Sequence, residues 1–228
     1  IWLATASMNI GRSGHVATLL ADGRVLVTGG TGVSSVQPSA ELYDPATDTW
    51  KPAASMSIPR SGHTATLLAN GTVLVASGYD GVSYQPSAEL YTPAVDSWAP
   101  AGTLSAGRTG HAATLLAGGE VLVEGGVNSS SFLSNADLYT PATGSWAALG
   151  AMSAPRSLHT TTLLASGKVL VAGGSNGAIL ATDTGTLTTW VARGVSMRRG
   201  MQFSCSGNLA TMAPGLPYAI AAQAAFPD

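Results

Sequence analysis

Charge is scarce in this sequence: only 10% of the residues are Asp, Glu, Lys or Arg, and the formal net charge at pH 7 is −2. A field that weak draws in neither nucleic acid nor an acidic membrane surface, so neither is expected as a partner. Cysteine is almost absent. The single Cys205 excludes an intramolecular disulfide and a thiolate metal cluster, and it leaves the redox compartment open. Long apolar runs are missing as well, and none approaches the ~18–20 residues a membrane-spanning helix needs. No basic stretch followed by an apolar one stands at the start, so no leader is expected. Ile1 rather than Met opens the chain, which leaves the compartment open too.

What remains is an apolar, glycine-rich chain of 228 residues, 45% apolar with 28 glycines, enough for one sizeable core. Such a composition suits an all-β fold with many tight turns. Histidine and tryptophan are rare, and their placement is regular. His15, His63, His111 and His159 are 48 residues apart throughout, and each follows an arginine by three residues. Trp2, Trp50, Trp98, Trp146 and Trp190 are spaced 48, 48, 48 and 44. A period of that size predicts a propeller or solenoid built from one supersecondary unit per repeat.

Each unit reads as four short strands. The first, "HTATLL" in the second copy, closes with a pair that supplies positive φ: Asp22-Gly23, Asn70-Gly71, Gly118-Gly119 or Ser166-Gly167. The second is "RVLVTGG", "TVLVASG", "EVLVEGG" or "KVLVAGG", β-branched and ending on small residues. A variable loop leads to the third strand, "SAELY" or "NADLY", and a Pro-containing turn carries the chain into the fourth at the tryptophan. Units of this kind bury their faces only against neighbouring units.

The Gly-Gly pairs at 29–30, 125–126 and 173–174, followed by Tyr43, Tyr91 and Tyr139 and then by the tryptophans, resemble the kelch family of β-propellers. Position 77, a serine, departs mildly from that pattern. The resemblance covers residues 1 to about 190 and is nearest in wording to bacterial kelch-repeat proteins, often predicted to be exported. It implies blades whose first strand lies nearest the axis, in keeping with the small Ala17, Ala65 and Ala113. The expected architecture is one domain over residues 1–228, with four clear blades ending near Trp50, Trp98, Trp146 and Trp190. A degenerate fifth unit over 191–228 is expected to be completed by the N-terminal strand "IWLAT". A closed ring would make the chain a monomer. The alternatives are part of a six- or seven-bladed propeller, or an oligomeric ring.

Antiparallel pairing of the first two strands puts the arginines on one face with the loops after Gly-Gly. Those loops carry the irregular aromatics Tyr79, Tyr84 and Phe132. Variable loops on a rigid frame are where function usually sits. Arg12, Arg60, Arg108 and Arg156 are therefore candidate ligand-binding residues together with Tyr79, Tyr84 and Phe132, since guanidinium groups grip carboxylates bidentately. In some kelch domains arginines at the matching position bind acidic peptide segments, as the resemblance implies. The competing reading has each arginine capping backbone carbonyls of neighbouring blades.

A metal ring of the four histidines is not expected, because residues repeated about a propeller axis are held apart and no acid or cysteine is interleaved at ligand spacing. Each is expected to bond the backbone of an adjacent strand. The tryptophans and tyrosines read as packing between blades, and Met8, Met56, Met152 and Met197, with Leu104 in the third copy, as apolar plugs. A distant similarity to the kelch domain of galactose-oxidase-like proteins would imply copper held by histidines and tyrosines beside a Tyr–Cys cross-link. Cys205 and Tyr218 are the tail's only such pair, and the acids Asp44, Asp48, Asp96, Glu120 and Glu124 form no acid–base constellation. No catalytic residue, metal or cofactor is therefore expected. The leading reading is a module that binds or scaffolds an unidentified protein or glycan, against a purely structural or engineered repeat with no ligand or the remnant of a copper oxidase.

Overall fold

A computed structural model of the protein describes residues 3–174, and every regular element among them is a strand. The chain divides after Gly173, and the first unit, Ile1–Gly173, carries the repeats. The first blade contains β1 (Val16–Leu19), β2 (Val25–Thr28), β3 (Ala40–Asp44) and β4 (Thr49–Ala53). The second contains β5 (Thr64–Leu67), β6 (Val73–Ala76), β7 (Ser87–Thr92) and β8 (Ser97–Thr103). The third contains β9 (Ala112–Leu115), β10 (Val121–Glu124), β11 (Ala136–Thr140) and β12 (Ser145–Leu149). A hairpin of β13 (Thr160–Leu163) and β14 (Val169–Ala172) follows. Each complete sheet runs antiparallel in strand order.

Local chemistry sets these meanders. At the first hairpin turn the Asp22 carboxylate accepts the Arg24 amide at 3.0 Å while Gly23 takes φ 87°. Asn70 and Gly71 repeat the arrangement in the second blade. The later turn places Asp48 and Asp96 at φ 50° and 45°, a left-handed conformation that aspartate tolerates. Each of these carboxylates then accepts a tyrosine hydroxyl, Tyr43 or Tyr91, at 2.8 Å.

The core lies between blades. Leu20, Leu26, Ala40, Leu42 and Met56 of the first blade pack on Val73, Val75 and Tyr91 of the second. Leu68, Leu74, Ala76, Ala88 and Leu104 repeat that face against Val121, Val123 and Tyr139 of the third. Tyr91 and Tyr139 are buried, each with a tryptophan ring about 5 Å away, Trp98 and Trp146. The indole N–H groups of Trp50 and Trp98 donate to the carbonyls of Ala6 and Ala54, in the segments arriving at their blades, and that of Trp146 donates to Ala101 at the end of β8. First strands touch one another from blade to blade, which makes them the inner strands.

Two expectations reach past the described residues. Three blades are complete, whereas only β13 and β14 of the fourth fall within the described residues; the degenerate unit over 191–228 and Met197 lie outside them. Residues 3–5 are not in a strand and Leu3 is exposed, and the partner expected for the N-terminal strand lies outside the described residues.

Gly-Gly has a defined task. Gly30 sits at φ 89° and its amide donates to the Arg60 carbonyl at 2.7 Å, a bond repeated from Gly78 to Arg108 and from Gly126 to Arg156. A Cβ on Gly30 would stand 2.7 Å from the Ser13 carbonyl and 2.9 Å from the His15 Cβ. Gly30→Ala is expected to cost more than about 2 kcal/mol in urea unfolding, from backbone strain plus a clash with atoms that cannot retreat. Ser77 stands at the position of Gly29, and Gly78 keeps that of Gly30. Ser77 adopts φ 60°, and its hydroxyl accepts the Arg108 amide at 2.8 Å and lies 2.7 Å from the Gln85 carbonyl.

Candidate functional site

The repeated arginines turn inward, away from the mouth where ligand recognition would need them. The side chains of Arg12, Arg60 and Arg108 are wholly buried. Arg60 donates through Nη1 to the Ser77 and Ser87 carbonyls, both at 2.8 Å, and through Nη2 to Ser87 Oγ at 2.8 Å and Glu89 Oε1 at 3.1 Å. Arg12 makes the matching bonds to the Gly29 and Ser39 carbonyls, Ser39 Oγ and Glu41. Arg108 does so to Gly125, Asn135 and Asp137. All these acceptors belong to the arginine's own blade, not to its neighbours. Arg156 is only partly buried, and its Nη1 donates to the Gly173 carbonyl at 2.7 Å.

The acids that complete these pairs were missed in the sequence. Glu41, Glu89 and Asp137 each follow an arginine by 29 residues and sit inside apolar third strands, and that constant spacing was the available signal. Each acid also accepts the amide of an arriving residue, Asn9 at 2.7 Å, Ser57 at 2.7 Å or Ser105 at 3.0 Å. One carboxylate thus fastens the chain from one blade to the arginine of the next. Burial alone would raise the Glu41 carboxyl, yet the Asn9 amide and the Arg12 guanidinium hold it below the ordinary carboxylate range.

The histidines are fittings of a second kind. His63 Nε2 lies 2.8 Å from Thr28 Oγ1, and His111 Nε2 lies 3.1 Å from Thr64 Oγ1, each threonine belonging to the preceding blade. At His15 the ring Nδ1 lies 3.1 Å from the carbonyl of Arg12, three residues earlier in the same segment rather than in an adjacent strand. Burial, with the adjacent arginine second, pushes His63 and His111 down to about 3, so both are neutral in ordinary buffers. Where the first blade has Thr28 and the second Ala76, the third has Glu124. Both its oxygens are buried without a partner, and burial raises it to about 7.

The loops remain as the exposed, variable element. All three are small hairpins on one frame: Thr31 bridges Val36, Tyr79 bridges Tyr84, and Val127 bridges Phe132. The other edge of each base pairs with the residue after the arginine, Ser13, Ser61 or Thr109. Asp80 caps its loop by accepting the amides of Val82 and Ser83, both at 2.7 Å, and Asn128 caps the third loop through Ser130 and Ser131. The Tyr79 and Tyr84 rings pack 5.2 Å apart, and the Tyr79 hydroxyl turns back to the Gly81 carbonyl at 2.9 Å. Val33, Val82 and Phe132 project into solvent. Tyr79, Tyr84 and Phe132 thus stand in the loop hairpins, whereas the side chains of Arg12, Arg60 and Arg108 are buried within their blades. Two clefts of about 270 and 350 Å³ open between adjacent blades on the opposite face, beside Asp22 and Arg24 and beside Glu120.

Comparison with known proteins agrees with this frame. Residues 12–57 match the family model described as the Kelch motif. The repeats are kelch repeats. A solved fungal alcohol oxidase of the AA5 family, in complex with copper, superposes with a TM-score of 0.53 at 16% identity, over 75% of this chain and 50% of that one. The kelch likeness at that identity is one of fold. Residues 183–228 match a different model, the C-terminal TPP binding domain of thiamine pyrophosphate enzymes. The Bacillus subtilis (strain 168) protein YdaP, described as thiamine pyrophosphate-containing, is 47% identical over 51 residues, 22% of this chain and 9% of that protein. Among the described residues no three His, Cys, Asp or Glu side chains come together, and Cys205 and Tyr218 lie outside them.

Proposed function

We propose that the kelch unit is a non-catalytic binding module that takes a protein or glycan ligand on its loop face. One observation carries this reading: three loops of different sequence stand on the same hairpin frame, with Val33, Val82 and Phe132 projecting beside a tyrosine pair. A rigid base with variable tips suits recognition by surface complementarity, and hydroxyl-rich, weakly charged loops suit peptides and sugars more than phosphates. The non-catalytic part rests on how the polar groups are used. The arginines are consumed by carbonyls and carboxylates, and His63 and His111 are buried and neutral. The oxidase and YdaP likenesses support no activity here, the first being one of fold and the second covering a small part of that protein.

The test is a peptide and glycan array probed with the full chain, then with Val82→Ser/Tyr84→Ser/Phe132→Ser. The triple variant is expected to lose at least tenfold in affinity at an unchanged unfolding midpoint. Unchanged binding by that variant, or no ligand on either array, refutes the proposal.

A further inference from the structure

Charge is nearly absent from the loop hairpins. Asp80 is the only charged residue in 31–36, 79–84 and 127–132. Its Oδ1 accepts the Val82 and Ser83 amides, and its Oδ2 accepts the Gln85 side-chain amide and the Ser83 hydroxyl. The other unburied charges among the described residues stand elsewhere. Asp22, Arg24, Glu120 and Lys168 lie at or beside the first hairpin turns, Asp44, Asp48 and Asp96 at the turns into the fourth strands, and Lys51 in β4. Arg156 turns to the Gly173 carbonyl. A carboxylate or ammonium laid on the three loops would therefore lose water and meet no opposite charge, which is unfavourable.

Neutral sugars are the poorer match as well. Adjacent sugar hydroxyls are gripped by planar forks, a carboxylate or a side-chain amide with both arms free. Here the forks hold their own loops. The Gln37 amide nitrogen donates to the Ser35 carbonyl and hydroxyl, both at 3.1 Å, and that of Gln85 to Asp80 and the Ser83 hydroxyl. The Asn128 carbonyl oxygen accepts the Ser130 and Ser131 amides, and the Tyr79 hydroxyl is engaged by the Gly81 carbonyl. What the loops leave free is aliphatic. Val82 tips the second loop, which lies between the first and third, and is 88% exposed; Val33 of the first loop is fully exposed. Exposed apolar groups of this kind serve protein contacts, and aliphatic side chains offer a sugar ring no stacking plane. Resting on the reading of the loop face as a recognition surface, we infer that its ligand is an uncharged peptide segment presenting apolar side chains to Val33 and Val82. It is neither a glycan nor the acidic segment that the kelch resemblance implies.

The full chain is probed on a glycan array and on a peptide array in three sets of equal length: acidic, basic, and uncharged with apolar side chains. The strongest binders are expected in the uncharged set. Their affinity should change less than about twofold between low and high salt, because no charge pair is there to be screened. Val33→Ser/Val82→Ser is expected to weaken them at least about tenfold. Its unfolding midpoint should stay that of the wild type, since both side chains stand in solvent. A glycan, acidic or basic ligand whose binding the double variant weakens overturns this inference and leaves the loop-face reading standing. An uncharged peptide held equally by wild type and double variant overturns it too, since the valines would not be its contact. No ligand on either array removes the loop-face reading and this inference with it.

Discussion

Arg60→Met is expected to destabilise the protein by about 3–5 kcal/mol, the usual consequence of leaving one member of a buried ion pair alone. The guanidinium is fully buried and holds two carbonyls, a serine hydroxyl and Glu89 at once. Removing it strands the Glu89 carboxylate, which then has only the Ser57 amide, and strands the Ser77 carbonyl in the interior, while the Ser87 carbonyl keeps the Ser77 amide. Urea unfolding at pH 7 measures the loss. Arg60→Met/Glu89→Leu should recover part of it, because deleting both charges removes the desolvated orphan while the Ser77 carbonyl stays unpaired. A single variant within about 0.5 kcal/mol of wild type would mean that the guanidinium does not hold the blade.

The second large effect is a dependence on pH. Glu124 is raised from 4.5 to about 7 in the folded state, chiefly by burial. The folded protein therefore binds more protons than the unfolded chain between those values, and stability falls as pH rises from 4.5 to 7. The full penalty, about 3 kcal/mol from the 1.36 kcal/mol per unit rule, is present above pH 7 and vanishes below 4.5. Glu124→Ala, which installs the residue the second blade has at Ala76, should be more stable than wild type by about 3 kcal/mol at pH 8. At pH 5 the advantage should shrink to under about 1 kcal/mol. His63 and His111 act in the opposite sense. Their folded values of about 3 lie below the ordinary 6.5, so stability is lost as pH falls from 6.5 toward 3, by about 1.4 kcal/mol per unit for each. Removing Glu124 thus steepens the acid limb. Equal differences between wild type and variant at pH 5 and pH 8 would show that Glu124 does not titrate in this range.

The repeat made the fold legible from the chain alone. A period of 48 shared by histidine and tryptophan defined the blade, and the turn pairs placed the first hairpins at 22–23, 70–71, 118–119 and 166–167, where the structure has them. The site was harder to read because local sequence does not say which way a side chain points. Arg60 and Tyr84 share one end of the blade, yet the arginine swings inward across the second and third strands toward an acid 29 residues away. That pairing is tertiary, and only the recurrence of Glu41, Glu89 and Asp137 in apolar strands hinted at it. The threonine partners of the histidines were less legible still. Thr28 and Thr64 occupy different repeat positions, so no single register connects them to His63 and His111. The loops could be recognised as variable, but not as a shared hairpin frame, since Thr31–Val36, Tyr79–Tyr84 and Val127–Phe132 have no common residue type.

The account holds that the repeated arginines fasten blades and the loops carry recognition. It is tested most directly by measuring affinity and unfolding midpoint together, for a ligand found on the arrays, in Arg108→Lys and in Tyr84→Ser/Phe132→Ser. The account predicts that the lysine variant loses stability while its folded fraction binds as wild type, because one ammonium cannot replace the fork that reaches Gly125, Asn135 and Asp137. It predicts that the loop variant keeps its midpoint and loses binding. Weakened affinity at full stability in Arg108→Lys, with the loop variant binding normally, would contradict it.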